Sequence, residues 1–423
     1  MNPERIGNYE LIEYLTAGGM ADLYLARGPR QDGPVVLKTI QRKYVEMTRV
    51  VKMFIDEGRI AKALDHPNIV RIHDVGASAG AYYIAMELIV GRDLLAIARR
   101  GIEAGRFLPL HLAAAILAQV ATGLVYAHEK RDEDGLTLAI VHCDISPGNV
   151  VVSFGGTAKI VDFGIARAAI QLRAEDHSIA GKYNYMSPEQ IRGEPLDARA
   201  DLFALGIILY ELTVGRRLFR GRADDVKARI TGGVVPRPRD VRPDLPEALE
   251  RIILKALQVD RDRRYASARE LRQDLLAFIA EDGHAAGKRE LAEYLREIFV
   301  PADHRIAVPG DPEAQDVERP PARSVGFVGG FARDESDEEL ALESPLPGLT
   351  DLVVDADDPE PGPLVVDAPV SSEPSAPSSP APSHLEPQHA EAIRAAAPVP
   401  RSDLLFAVLA IGVAVALYLL IRG

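Results

Sequence analysis

Along this chain the hydrophobic pattern changes character once, and that change restricts the fold more than any other feature. Up to about residue 87 the apolar residues fall in short strand-like runs: Tyr9–Ile12, Leu23–Ala26, Val35–Lys38, Val70–Val75 and Tyr82–Glu87. A glycine turn separates the first two runs, Gly76–Gly80 joins the last two, and helical patterning over about 45–64 lies between. From about Leu94 onward the pattern is mostly helical, with long apolar stretches at Leu112–His128, Leu202–Leu212 and Leu249–Leu257. A small strand-rich part followed by a larger helical part predicts an α+β chain of two lobes with a cleft between them.

Beyond that pattern the composition shifts. Leu291, Leu295 and Ile298 have amphipathic spacing, which predicts an accessory helix over 285–300. Residues 303–402 are rich in Pro, Ala, Ser, Asp and Glu, with too little periodic apolar surface to offset ordering entropy, so a disordered acidic linker is expected. Residues 1–300 carry 42 Lys/Arg and 41 Asp/Glu, whereas 301–423 carry 7 Arg, no Lys and 21 Asp/Glu. The acidity therefore belongs to the tail. No basic run suggests nucleic acid as a partner. Leu404–Ile421 is uncharged and 18 residues long. At 1.5 Å per residue it would span about 27 Å, enough for a bilayer core, so a single C-terminal transmembrane helix is expected. The single cysteine, Cys143, excludes an intrachain disulfide and fits a reducing compartment. The N-terminal residues show no secretory pattern.

The chemistry is concentrated in His142-Cys143-Asp144-Ile145-Ser146-Pro147-Gly148-Asn149, followed by Asp162-Phe163-Gly164. This stretch resembles the catalytic loop and metal site of a protein kinase, and the resemblance implies that Asp144 is the base for a hydroxyl and that Asn149 and Asp162 hold Mg²⁺, for which hard oxygen ligands are suited. Phosphoryl transfer needs those parts together with a cation on the phosphates. Further motifs appear in order. Leu15-Thr16-Ala17-Gly18-Gly19-Met20-Ala21-Asp22-Leu23-Tyr24 is a glycine loop between strands. Val35-Val36-Leu37-Lys38 ends in a lysine, and Glu57 lies on the following helix, ahead of His66-Pro67-Asn68. Tyr185-Met186-Ser187-Pro188-Glu189-Gln190, Asp201-Leu202-Phe203 and Asp260-Arg261-Asp262-Arg263-Arg264-Tyr265 come later.

Taken together, residues 9–280 resemble the eukaryotic-type (Hanks-type) Ser/Thr protein kinase domain found in bacteria. The resemblance implies ATP and Mg²⁺ as cofactors and protein Ser/Thr hydroxyls as acceptors. It implies that Lys38 contacts the α/β phosphates and pairs with Glu57, and that Asp144 is the base. Gly18 and Gly19 would approach the phosphates. Met86 would stand at the back of the adenine site, backbone groups of Glu87 and Leu88 would hold the base, and Leu15, Leu23, Val36 and Val151 would enclose it. Glu189 would pair with Arg264, and Asp201 would brace the catalytic loop.

Departures from the family pattern matter as much as the matches. Cys143 stands where the family has arginine, which removes a buried cation that activation-loop phosphate would neutralise. Between Asp162 and Ser187 the only Ser or Thr is Ser178, so activity independent of loop phosphorylation is expected. Ser146 stands where the family has lysine, and Lys182 where it has threonine. Lys182 is therefore expected to supply the missing cation as a relocated catalytic lysine. The alternative is a pseudokinase scaffold that binds ATP or a partner without efficient transfer.

A kinase domain must meet cytosolic ATP. The expected arrangement is thus a bacterial inner-membrane protein, with one C-terminal anchor at 404–421 and a cytoplasmic kinase domain. About 100 flexible residues would let the domain range roughly 50–60 Å from the bilayer. Gly412 and Ala416 form a small-xxx-small pair that would suit a homodimer.

Overall fold

The computed structural model describes residues 5–18, 20–31, 33–163, 183–284 and 287–299. Six antiparallel strands form the first sheet, in the order β1-β2-β3-β4-β6-β5. They are β1 (Arg5–Ile6), β2 (Tyr9–Ala17), β3 (Ala21–Arg27), β4 (Pro34–Ile40), β5 (Ile72–Ser78) and β6 (Ala81–Glu87). Helix α1 (Thr48–Lys62) packs against β5 and β6.

Alternation along β4 sorts its side chains between two apolar clusters. Val35 and Leu37 join Tyr9, Ala26, Tyr83 and Ala85 on one face. Val36 and Ile40 face the main core with Leu23, Phe54, Ile84 and Met86. Lys38 has the same parity as Val36, so the strand's period carries its ammonium toward α1 and the cleft. The register Leu23↔Lys38↔Ile84 fixes that height.

The hairpin between β5 and β6 is tighter than the sequence suggests. Gly76 to Ser78 continue β5, and the turn is Ala79-Gly80, both at positive φ (48° and 81°). Two consecutive positive φ values give the turn whose twist matches its flanking strands.

A second, three-stranded sheet β7-β8-β9 (Gly91–Asp93, Val150–Ser153, Ala158–Ile160) lies at the head of the helical lobe. Asp93 closes β7 and caps helix α2 (Leu94–Glu103), its Oδ1 accepting from the Ala96 N–H at 2.8 Å. Helix α3 (Leu110–His128) is apolar on nearly every face because it is wrapped by protein. Among the described residues it is the one helix long and apolar enough to cross a membrane, yet 72% of it is buried inside the fold. It packs against Ala268–Glu281 and Arg199–Val214.

A last helix, Lys288–Phe299, buries Leu291, Leu295 and Ile298 and packs on α2. Arg100 Nε donates to the Ile298 carbonyl (2.7 Å), Tyr294 Oη donates to the Arg106 carbonyl (2.9 Å), and Arg106 pairs with Glu297. The Arg92 guanidinium sits over the rings of Phe154 and Phe299, at 5.6 and 5.3 Å. At Gly156 (φ +79°) any Cβ would collide with the Lys288 carbonyl, so glycine permits the close approach of this helix. The expected linker (303–402) and transmembrane segment (404–421) lie outside the described residues.

Candidate active site

The centre of the cleft is an ion triad drawn from three elements. Lys38 Nζ on β4 donates to Glu57 Oε1 on α1 (2.9 Å) and to Asp162 Oδ1 after β9 (3.0 Å). All three side chains are almost wholly buried. Burial alone would lower the lysine pKa, but the charges of Asp162 and Glu57 outweigh it and hold the ammonium protonated. For Glu57 the balance runs the other way: burial pushes its carboxyl up, and Lys38 only partly pulls it back. One ammonium cannot fully satisfy two buried carboxylates, so the secure charge is that of Lys38. Glu57 Oε2 is buried without a hydrogen-bond partner among the described residues. It borders a cavity of about 10 Å³ lined by Gly58, Ala61, Ile72, Met86 and Phe163.

Asp201 organises the catalytic loop. Its Oδ2 accepts from the His142 N–H (2.9 Å) and from His128 Nε2 (2.8 Å), while Oδ1 accepts from the Cys143 N–H (2.7 Å). Burial would raise this carboxyl's pKa, but the bond to His128 and the other contacts hold it below the usual range. The grip is needed because Cys143 sits at φ +60°, where a non-glycine residue is strained. Gln190 Nε2 donates to the Cys143 carbonyl (2.7 Å) and secures the other side of the strained residue. His142 accepts from the Asp144 N–H at Nδ1 (3.1 Å) and faces the Val161 carbonyl with Nε2 (3.1 Å), which places its ring proton on Nε2. Its ring meets Phe163 edge-on at 4.7 Å, joining the loop to the Asp162 segment.

Asn149 donates through Nδ2 to the Asp144 carbonyl (2.7 Å) and to Asp144 Oδ2 (3.3 Å). With its NH₂ so engaged, the amide oxygen is the atom left to face a cation. Asp162, also at φ +60°, turns one oxygen to Lys38. An amide oxygen and a carboxylate are hard donors that fit Mg²⁺, leaving room for water and phosphate oxygens. Ser146 is buried and brings no charge.

Of the residues expected to enclose the base, Leu23, Val36, Met86 and Val151 are buried in the main core, and Leu15 and Leu88 are partly buried against it. Glu87 accepts at Oε1 from Lys159 Nζ (2.6 Å) and the Arg71 N–H (2.8 Å). Its own N–H donates to the Arg71 carbonyl (2.9 Å). At the glycine loop the Gly18 N–H donates to the Ala21 carbonyl (2.7 Å), and Gln41 Nε2 donates to the Gly18 carbonyl (3.0 Å) and Asp22 Oδ1 (3.1 Å). Gly19 lies outside the described residues, as do Ser178 and Lys182.

The far end of the activation segment is anchored in the helical lobe. Ser187 and Gln190 form a reciprocal capping box at the start of Pro188–Arg192. Glu189 pairs with Arg264 through two bonds of 2.7 Å. Tyr185 Oη donates to Glu211 Oε2 (2.6 Å). Sequence reasoning missed Gln190, His128 and Gln41. Gln190 was visible only as the last letter of a motif, and the other two carry no local signal.

The protein kinase domain family matches residues 9–276. Tyrosine-protein kinase MasK of Myxococcus xanthus is 40% identical over 300 residues, covering 69% of this chain and 46% of its own length. Serine/threonine-protein kinase PrkC of Bacillus subtilis is 34% identical over 273 residues, covering 64% of this chain and 40% of its own. The chain thus spans less than half the length of these relatives. The crystal structure of the Mycobacterium tuberculosis PknI kinase domain superposes with a TM-score of 0.51 at 26% identity, covering 66% of this chain and 98% of that one.

Proposed function

This chain belongs to the protein kinase family, and on that footing we propose that it is a membrane-anchored kinase transferring the ATP γ-phosphoryl group to protein Ser or Thr hydroxyls. The observation that carries the reading is the closed triad, with Lys38 at 2.9 Å from Glu57 and 3.0 Å from Asp162, together with the pairing of Asp144 and Asn149. In this reading Lys38 holds the α/β phosphates and is itself aimed by Glu57. Asn149 and Asp162 hold Mg²⁺, which when bound neutralises charge on the phosphates. Asp144 orients the acceptor hydroxyl and takes its proton as the new O–P bond forms and ADP leaves. Lys182 supplies the cation that Ser146 lacks, and residues 404–421 anchor the chain in the membrane with the kinase domain in the cytoplasm.

Two observations favour other readings. The absence of a lysine at position 146 favours a pseudokinase scaffold, and the name of the 40% identical relative favours a tyrosine acceptor. Incubating the full chain with Mg-ATP and a generic acceptor protein, followed by phosphoamino-acid analysis, separates them. Phosphoserine and phosphothreonine are expected. Phosphotyrosine alone would move the acceptor class, and incorporation no higher than that of an Asp144→Asn control would leave the scaffold.

The lysine relocation has its own test. Removing one preorganised donor to developing charge costs about 10²–10³-fold in turnover, and Lys182→Ala is expected to lose on that order in kcat. Unchanged turnover would assign Lys182 no part in transfer.

A further inference from the structure

Away from the cleft, three segments bring metal-ligating atoms together. His111 lies in the first turn of α3, His284 follows the helix Ala268–Glu281, and Glu290 lies in the first turn of Lys288–Phe299. One ligand atom from each lies within 4.8 Å of the others, and this is the one such cluster among the described residues. Glu290 Oε1 is 2.7 Å from His111 Nε2 and 3.7 Å from His284 Nδ1. The two imidazole rings stack, with centroids 3.6 Å apart. His111 and Glu290 are 179 positions apart in the chain.

Local structure sets the position of each ligand. The helix Ala268–Glu281 ends at Gly283 (φ +78°), whose N–H donates to the Ala280 carbonyl (3.2 Å), while the His284 N–H donates to the Ile279 carbonyl (3.1 Å). That double closure of the helix end fixes the His284 backbone and leaves its ring free to turn about its own χ angles. Asp282 Oδ2 stands 3.8 Å from His284 Nε2 and so favours the ring orientation that offers Nδ1 to the cluster. At 3.8 Å the pair is within ion-pair reach and beyond the hydrogen bond by which an outer carboxylate orients a ligating imidazole. His111 is held by burial, and the docking of Leu291, Leu295 and Ile298 places Glu290 beside it.

We propose that His111, His284 and Glu290 form a transition-metal site of the zinc class, which ties the helix Lys288–Phe299 to the start of α3. Two imidazoles and one carboxylate select Zn²⁺ or Co²⁺ over Mg²⁺, because nitrogen donors suit borderline ions and hard ions take oxygen. At about 2.0–2.2 Å from each donor, the ion needs the His284 ring to tilt out of its parallel stack, and water completes the fourth position. The site is separate from the Asn149 and Asp162 pair, whose donors are oxygens. The helix already docks through Arg100, Arg106 and Tyr294, so the ion adds a cross-link to a formed interface.

The test uses the full chain, stripped with chelator and titrated with Co²⁺ and then with Zn²⁺. The expected result is one Co²⁺ per chain at micromolar free ion, with the visible absorption of tetrahedral coordination, bleached by Zn²⁺ and unaffected by excess Mg²⁺. Zn²⁺ should also raise the melting temperature. His284→Ala and Glu290→Gln, both at partly exposed positions, should keep the ion-free melting temperature, weaken Co²⁺ binding by at least about 100-fold and abolish the thermal shift. Wild-type uptake that survives in both variants, or no tetrahedral spectrum in the wild type, would reduce the cluster to a hydrogen-bonded latch and overturn the proposal.

Discussion

Replacing Asp144 with Asn is expected to lower kcat for phosphoryl transfer by about 10²–10⁴-fold, the range for removing a positioned base. The geometry makes this substitution informative. The Asn149 amide bonds the Asp144 backbone carbonyl at 2.7 Å, and the His142 ring receives the Asp144 N–H at 3.1 Å. Neither bond involves the carboxylate, so Asn should keep the loop in place. The 3.3 Å contact from Asn149 to Oδ2 then meets an amide in place of a carboxylate. The KM for ATP should therefore stay close to wild type, because Lys38, Glu57 and the apolar residues proposed to enclose the base are untouched. A fall in kcat at constant KM is the signature of an interaction made in the transition state. Comparable turnover for the variant would show that Asp144 does not act on the acceptor hydroxyl.

The parts of the site that are legible in the sequence are those whose chemistry demands one residue type at a fixed spacing. Lys38, Glu57, Asp144, Asn149 and Asp162 could be named because the kinase pattern sets an ammonium, a carboxylate, a base, an amide and a second carboxylate in that order. The strand and helix pattern yields the lobes for a related reason: burial of one face of β4 forces a period of two, and that period also delivers Lys38 to the cleft. What the sequence hides is support through backbone groups. Gln190 reaches the Cys143 carbonyl across 47 positions, and Gln41 reaches the Gly18 carbonyl across 23. A carbonyl has no letter in the sequence, so the residue that serves it leaves no pattern. The Ala79-Gly80 turn was hidden differently. Gly76 looked like a turn residue, yet it is a strand residue whose missing side chain makes room for the Tyr83 ring. The Cys143 departure gains a second meaning from the structure. The position is strained at φ +60°, and its N–H and carbonyl are both held by partners, Asp201 and Gln190, that do not depend on the side chain. Arginine can therefore be absent without the loop losing its backbone anchors.

Glu189→Ala should destabilise the fold by about 3–5 kcal/mol, the range for breaking one side of a buried ion pair. Arg264 uses all five of its donors. Two go to Glu189 at 2.7 Å each, and the others go to the carbonyls of Gln258 (2.5 Å), Arg199 (3.1 Å) and Val259 (3.1 Å). Its guanidinium also lies 4.9 Å over the Phe203 ring. Removing the carboxylate strands a buried cation with two unsatisfied N–H groups and no route to water. The loss should reach the active site as well, because Glu189 neighbours Gln190, which braces Cys143. Reduced kcat is thus expected even at temperatures where the variant is folded. The wild-type contribution should depend on pH in one direction. Burial would raise the Glu189 pKa, but the bonds to Arg264 outweigh it and lower the folded value. An acid whose pKa is lower in the folded state stabilises fully above its unfolded value, roughly pH 4.3, and loses that contribution as pH falls through the folded value. Denaturant melts of wild type and variant should therefore differ most near neutrality and converge in acid. The double variant Glu189→Leu with Arg264→Met should recover much of the loss, since paired removal leaves no stranded charge. A cost for Glu189→Ala below about 1 kcal/mol, the scale of an exposed pair, would show that Arg264 finds another anion or water.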